Sequence, residues 1–176
     1  VLIALDGTEY HRSTRIHCPN CSRRTRAGQP TEHFHTMVCA TIVAPGHAQV
    51  VPLEPAPHGA RYQPLNPIYL GDDLLACQPV CEAVLAEGGH FLFTCKPSSH
   101  QTIQEYLTGI ELDEHVERIR RGRTHATHTY RWLCDVPLRA GKDALTVNWL
   151  SIEIHDAKGK LTYRNSFITD LPVTRE

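Results

Sequence analysis

Two short apolar runs, each followed by an aspartate, constrain this sequence more than any other feature. Residues 1–5 lead directly into Asp6, and residues 68–70 lead through Gly71 into Asp72. Continuous apolar runs of this length suit strands that are buried on both faces of a sheet. If the two strands are parallel neighbours, their carboxyl ends meet at one edge of the sheet, so we expect Asp6 and Asp72 to converge there.

Two carboxylates at one edge of a sheet fit the chemistry of phosphodiester cleavage. A pair of Mg²⁺ or Mn²⁺ ions roughly 3.5–4 Å apart neutralises the phosphate and orients the attacking and leaving oxygens. Mg²⁺ favours a few carboxylates together with water and phosphate oxygens. A structural interpretation is also open, in which Asp6 with Gly7 forms a turn and Asp72 with Asp73 caps the following helix.

The remaining pattern predicts an α/β chain with a mixed sheet. Residues 1–109 are expected to form the core, which includes an Arg- and Cys-rich loop at 12–33. Residues 110–172 are expected to form a β-rich insertion. Three antiparallel strands followed by a parallel βαβ unit resemble the ribonuclease-H-like fold. The expected strands lie at 1–5, 34–44, 48–53, 68–70, 91–95, 127–133, 145–154 and 161–169, and the expected helices at 74–87 and from Ser98 or Ser99 to Leu107.

The charge is balanced overall but clustered locally. A net charge of −1 argues against a basic field over the whole molecule that would attract nucleic acid. Clustered Arg side chains can still bind phosphate, and solvated loops are the other interpretation of the same clusters. The candidate DNA-binding residues are Arg23 and Arg24 in one cluster and Arg120, Arg121 and Arg123 in the other.

The seven cysteines favour metal binding over disulfides. Their number is odd, and the sequence shows no signal peptide and no apolar run of membrane-spanning length, so we expect a reduced, cytoplasmic setting. Cys18 and Cys21 have the spacing of a metal knuckle, and His33 and His35 follow on one face of the next strand. These four residues are the candidate ligands of a structural Zn²⁺ ion. A hairpin with incidental Cys and His side chains is the alternative.

Several stretches of the chain, taken together, resemble bacterial insertion-sequence transposases of the DDE group, specifically the insertion-sequence-four type, whose catalytic core carries a β-rich insertion. The pieces occur in the order of that family and cover nearly the whole chain. They are LIALDGTEY (2–10), IHCPNC (16–21), FHTMVCATIVAPGH (34–47), NPIYLGDDLLACQPVCEAVL (66–85), FLFTCKPSSHQT (91–102) and LTYRNSFITDLPV (161–173).

The resemblance implies metal-dependent cleavage of DNA and strand transfer during transposition. It assigns Asp6 and Asp72 as two of three catalytic carboxylates, with Mg²⁺ or Mn²⁺ as the cofactor. It also implies transposon-end and target DNA as partners, a homodimer of the full-length protein, no membrane association and a bacterial cytoplasmic location. The third carboxylate of the family is a Glu on a helix after the insertion, and Glu105 precedes the insertion instead.

We therefore expect the chain to be a catalytic-core fragment that is truncated at both ends. Residues 173–176 are expected to begin a further helix. Without the third carboxylate we expect it to be inactive alone. Two other functions remain open. One is a ribonuclease-H-like nuclease, a class of enzyme that does not need the β-rich block of a transposase. The other is a zinc-stabilised, non-enzymatic DNA-binding module that uses the two Arg clusters.

Overall fold

The computed structural model of the chain describes residues 1–53, 63–122 and 124–175, and only the backbone of residues 63 and 121. In this part of the chain, strands outnumber helices. The strands are β1 (Leu2–Ser13), β2 (Ser22–Arg24), β3 (Glu32–Val43), β4 (Val51–Pro52), β5 (Ile68–Gly71), β6 (His90–Thr94), β7 (Asp113–Arg121), β8 (Thr124–Pro137), β9 (Thr146–Asp156) and β10 (Leu161–Thr169), and the helices are α1 (Gln78–Ala86) and α2 (Gln101–Leu107), with a 3-10 turn at Gln63–Leu65.

These strands form one mixed sheet in the order β2-β3-β1-β5-β6-β10-β9-β8-β7, and β4 pairs with β3. Strand β1 is antiparallel to β3, and β3 is antiparallel to β4. Strands β1, β5 and β6 are parallel to one another. Strand β10 pairs antiparallel with β6 and so connects the strands of the expected 110–172 insertion to the same sheet. The predicted mixed α/β class is confirmed.

The hydrophobic core lies on one face of the central strands. Ile3, Tyr69 and Phe91 occupy paired positions on β1, β5 and β6, and all three are buried. Phe93 stacks against Phe91 with ring centroids 5.3 Å apart. Burial of a side chain of this size contributes roughly 1.5–3 kcal/mol. Ile103 on α2 is also fully buried in this core.

Helix α1 begins four residues later than the sequence pattern predicts. Residues 72–75 form a turn, in which the Leu75 amide donates to the Asp72 carbonyl at 3.2 Å. Pro79 then lies in the first turn of the helix, where its missing N–H costs no intrahelical hydrogen bond. The helix ends as predicted, because Gly88 adopts a φ of 70° and donates to the Leu85 carbonyl.

The first third of the chain contains more strand than the sequence pattern predicts. Strand β1 does not end before Asp6 but continues to Ser13, so Asp6 lies within the strand. The segment 12–33 is not simply a loop, because it contains β2 and the facing ends of β1 and β3. Because their side chains are polar, these strands lack the alternating hydrophobic pattern by which a strand is predicted. Backbone pairing with β3 supplies their hydrogen bonds.

At the other end of the described residues, 173–175 carry no helix. Residue 176 of the expected helical start lies outside the described residues. None of the described helices has the length and apolar character needed to cross a membrane.

Candidate functional site

Asp6 lies on β1, and Asp72 is the first residue after the neighbouring parallel strand β5. The register pairs Leu2 with Ile68 and Ala4 with Leu70. The last pair is Ala4 with Leu70, and the same offset of 66 residues, continued two residues beyond it, would set Asp6 opposite Asp72. Both aspartates are exposed. Asp6 and Asp72 thus each follow two residues after the last paired residues of β1 and β5, Ala4 and Leu70.

The two carboxylates differ in their local contacts. Asp6 faces Cys39 across the β1–β3 ladder. Its carboxylate forms no hydrogen bond or ion pair with any residue that the structure describes. Asp72 accepts one hydrogen bond, from the Leu74 amide at 3.1 Å, which closes the turn before α1. Each side chain therefore retains oxygen lone pairs that face solvent, as ligands of a hydrated divalent cation require.

Asp73, the neighbour of Asp72, is tied to the loop between β6 and α2. The Lys96 amide donates to Oδ1 of Asp73 at 2.6 Å, and the Ser99 hydroxyl donates to Oδ2 at 2.5 Å. Nε2 of His100 lies 3.3 Å from Oδ1. Burial opposes ionisation of Asp73, but the hydrogen bonds from Ser99 and Lys96 and the charge of His100 outweigh it and lower the pKa of Asp73 below its ordinary value. Asp73 is thus a structural residue.

The part of the chain that the structure describes shows no metal-ligand group of three or more residues that includes Asp6 or Asp72. Within residues 1–53, 63–122 and 124–175, no group of three His, Cys, Asp or Glu ligand atoms that includes Asp6 or Asp72 lies within 4.8 Å of one another. Glu105 is an exposed residue of α2. The candidate site in the described chain is therefore limited to Asp6 and Asp72, whose carboxylates are hard oxygen donors of the type that Mg²⁺ and Mn²⁺ favour.

A second cluster joins the loop before β2 to β3. Nε2 of His35 lies 3.2 Å from Sγ of Cys18 and 3.3 Å from Sγ of Cys21, and the two sulfurs are 3.8 Å apart. These three ligand atoms lie within 4.8 Å of one another. The Cys18 amide also donates to Sγ of Cys21 at 3.3 Å. This group could hold a metal ion such as zinc.

His33, the fourth predicted ligand, lies outside this group. Its ring stacks on His17 with centroids 4.3 Å apart, and its Nδ1 is buried without a hydrogen-bond partner in the described chain. Burial, followed by the nearby charges of His17 and Arg23, lowers the pKa of His33. His33 and His35 share one face of β3, so their spacing alone could not decide between them.

The two predicted DNA-binding Arg clusters lie at opposite edges of the sheet. Arg23 and Arg24 belong to β2, the first strand in the sheet order, and Arg120 belongs to β7, the last. Eight strand spacings of about 4.8 Å separate these edges by roughly 38 Å along the sheet. The side chain of Arg121 and the whole of residue Arg123 lie outside the described structure. The described Arg residues therefore do not form one continuous patch.

Arg23 and Arg24 have different partners although they are neighbours. Arg24 binds Glu9 at 3.0 Å and Glu32 at 3.3 Å, and its guanidinium lies 4.8 Å above the centroid of the Phe34 ring. Its charge is therefore largely compensated within the protein. Arg23 is exposed and pairs through its backbone with His33. Of these two residues, Arg23 is the better candidate for contact with phosphate.

Two long-range contacts were not found from the sequence. Asp170 accepts from Nδ1 of His90 at 2.6 Å and from the Phe91 amide at 2.8 Å, across about 80 residues of chain. Asp73 and Ser99 likewise come from separate elements. Neither pair has a characteristic spacing, so no signal in a single sequence could have found them. No protein-family model matches the chain, and no curated protein matches it.

Proposed function

We propose that this chain is a catalytic core of the DDE transposase type, in which Asp6 and Asp72 bind the divalent ions used for DNA phosphodiester cleavage and strand transfer. The observation that supports the proposal is the parallel β1–β5 register, whose last pair, Ala4 with Leu70, lies two residues before Asp6 and Asp72. Neighbouring strands lie about 4.8 Å apart, a distance over which two carboxylates can share metal ions.

The strand order supports the same proposal. Strands β4, β3, β1, β5 and β6 are neighbours in that order, with an antiparallel half and a parallel half. This is the arrangement expected of a ribonuclease-H-like core. Strands β7 to β10 supply the large β-rich block that distinguishes the resembling transposases from a plain nuclease of that fold.

Each carboxylate has a distinct part in the proposed chemistry. Mg²⁺ or Mn²⁺ bound there would neutralise the phosphodiester and orient the attacking and leaving oxygens. Asp6, held within a paired strand, fixes one ligand on a rigid element. Asp72 is fixed by the hydrogen bond to Leu74 and by the adjoining Asp73 network. Such rigid placement limits the reorganisation needed when the metal and the DNA bind.

The absence of a third carboxylate in the described group leads to a specific expectation about activity. Two carboxylates hold a metal pair less firmly than three, so we propose that this chain alone does not cleave or transfer DNA. The test incubates purified protein with supercoiled plasmid and Mn²⁺ and measures nicked and linear products. No product above that of the Asp6→Asn variant is expected. Cleavage that the Asp6→Asn substitution abolishes would overturn the proposed inactivity while supporting the metal site.

A second candidate function is a DNA-binding module without catalysis. It is favoured by the Cys18, Cys21 and His35 cluster, which lies next to the exposed Arg23. This function predicts salt-dependent binding to plasmid DNA that persists when Asp6 and Asp72 are both replaced by Asn, with no change in Mn²⁺ binding. The catalytic-core proposal instead predicts that the double substitution removes Mn²⁺ binding.

A further inference from the structure

The segment that contains the ends of β1 and β3 and all of β2 has no hydrophobic core of its own. No residue from 5 to 39, all of which the structure describes, is fully buried, and the buried core begins again at Ala40. We refer to residues 10–35 as the arm. Apolar burial, the usual source of stability for a folded segment, therefore contributes little to the arm.

Ion pairs on one face of the arm do not replace that missing core. Glu9 binds Arg12 at 2.9 Å and Arg24 at 3.0 Å, and all three side chains are substantially exposed. Exposed pairs of this kind stabilise a fold only slightly and are screened by salt. Some other interaction is needed to hold the loop of residues 14–21 against β3.

The cluster on the opposite face has the dimensions of a tetrahedral zinc site. Bonds of about 2.3 Å to sulfur and about 2.0–2.1 Å to nitrogen imply separations of about 3.8 Å between two sulfurs and about 3.5 Å between sulfur and nitrogen. The sulfurs of Cys18 and Cys21 are 3.8 Å apart, and Nε2 of His35 lies 3.2 and 3.3 Å from them. The Cys18 amide points at the Cys21 sulfur, where it stabilises thiolate charge.

We propose that Cys18, Cys21 and His35 bind one zinc ion, and that this ion fixes the loop of residues 14–21 to β3. Two thiolates and an imidazole favour zinc over Mg²⁺ or Ca²⁺, which prefer oxygen ligands. The site is therefore chemically separate from the aspartate pair, and it stands whether or not the proposed catalytic function is correct. A water molecule would supply the fourth ligand of a tetrahedral zinc ion.

The zinc ion also sets the position of the arm relative to the aspartates. His35 and Cys39 lie on the same face of β3, because side chains four residues apart on a strand point the same way. Cys39 pairs with Asp6, so His35 and Asp6 lie on one side of the sheet, and His35 is roughly 13 Å from Cys39 along β3. Strand β2, with the exposed Arg23, begins directly after the ligand Cys21.

Metal analysis of the purified, tag-free chain tests the proposal. We expect one zinc per chain by mass spectrometry, and after exchange with Co²⁺ we expect the visible absorption of a tetrahedral cobalt–thiolate site. Cys18→Ser, Cys21→Ser and His35→Ala should each remove the stoichiometric metal. Cys77→Ser and Cys134→Ser are matched controls, because both residues are exposed cysteines outside the cluster. His33→Ala should also retain the metal.

If a variant is unstable, fluorescence and proteolysis distinguish loss of the metal from unfolding of the core. Trp132 and Trp149 lie on β8 and β9, far along the sheet from the arm, and report on folding of the core. Variants without metal should keep native Trp emission, and chelation of the wild-type protein should speed tryptic cleavage at Arg15 or Arg26 at least tenfold. Zinc-free wild-type protein with a resistant arm would overturn the proposal. A cobalt spectrum unchanged by Cys18→Ser would also overturn it, and loss of metal in His33→Ala would refute the three-residue ligand set.

Discussion

Ile3 pairs with Tyr69 across the parallel strands β1 and β5, and this register, continued three residues, leads to Asp6 on one strand and to Asp72 just after the other. The side chains of Ile3 and Tyr69 on these two strands enter the same core. The apolar positions that stabilise the fold thus also determine where the two carboxylates emerge. Stability and the proposed site depend on the same few residues.

Replacement of Asp73 by Asn tests whether this neighbour of Asp72 is structural. The substitution removes the charge that receives hydrogen bonds from the Lys96 amide and the Ser99 hydroxyl. We expect the free energy of unfolding to fall by about 1–3 kcal/mol. Asp72→Asn is the matched control, because Asp72 is exposed and should change stability by less than about 0.5 kcal/mol. Equal effects of the two substitutions, measured by urea denaturation, would contradict this assignment.

The pH dependence of that stability has a definite sign. The pKa of Asp73 is lower in the folded protein than the ordinary value of 3.8. Its contribution is therefore present in full above the unfolded pKa and is lost as the pH falls through the folded pKa. The stability difference between wild type and Asp73→Asn should shrink below about pH 4 and be constant near neutrality. A difference that grows on acidification would show that another group is responsible.

Replacement of Gly71 tests how closely core side chains pack against the backbone just before Asp72. A Cβ atom at this position would lie 2.7 Å from Cδ1 of Leu75 and 2.9 Å from Cδ1 of Phe93. We expect Gly71→Ala to lower the free energy of unfolding by about 1–3 kcal/mol through overpacking. Gly7→Ala is the control, since a Cβ atom at Gly7 would meet Cγ2 of Thr36 at an ordinary contact distance of 3.8 Å. Thermal unfolding of both variants measures the difference, and a stable Gly71→Ala protein would show that the core can adjust.

The reactivity of the cysteines separates buried thiols from metal ligands. Burial raises the pKa of Cys81 and of Cys95 to about 12, so neither thiol should react with iodoacetamide near neutral pH while the protein is folded. Cys77 and Cys134 are exposed and should react readily. Mass spectrometry of labelled peptides should show Cys18 protected in the zinc-bound protein and labelled after chelation. Rapid labelling of Cys81 in the native protein would contradict the core as described.

Much of the fold is predictable from the sequence because it rests on local patterns. The alternation of Leu150, Ile152 and Ile154 predicts a strand, and β9 contains all three. The predicted span of β10, residues 161–169, matches the observed strand. Gly88 marks the end of α1 because left-handed backbone at a helix end favours glycine. In each case the signal lies within a few residues of the feature.

The less predictable parts depend on partners that are distant in sequence. The stretch from Asp6 to Ser13 is too polar to indicate a strand, and only its pairing with β3 makes it one. The spacing of Cys18 and Cys21 indicates a metal site, but it cannot choose between His33 and His35. That choice depends on the register of β3 with its neighbours and on the stacking of His33 against His17.

A double-mutant cycle for Mn²⁺ binding tests the central proposal most directly. Electron paramagnetic resonance measures the affinity of wild type, Asp6→Asn, Asp72→Asn and the double variant, with Glu105→Gln as an exposed acidic control. If both aspartates bind shared ions, each single substitution should weaken binding by roughly tenfold or more, and the double variant should lose much less than the sum of the two free energies. Glu105→Gln should bind like wild type. Strictly additive losses, or affinity unchanged in both single variants, would contradict a metal site shared by Asp6 and Asp72.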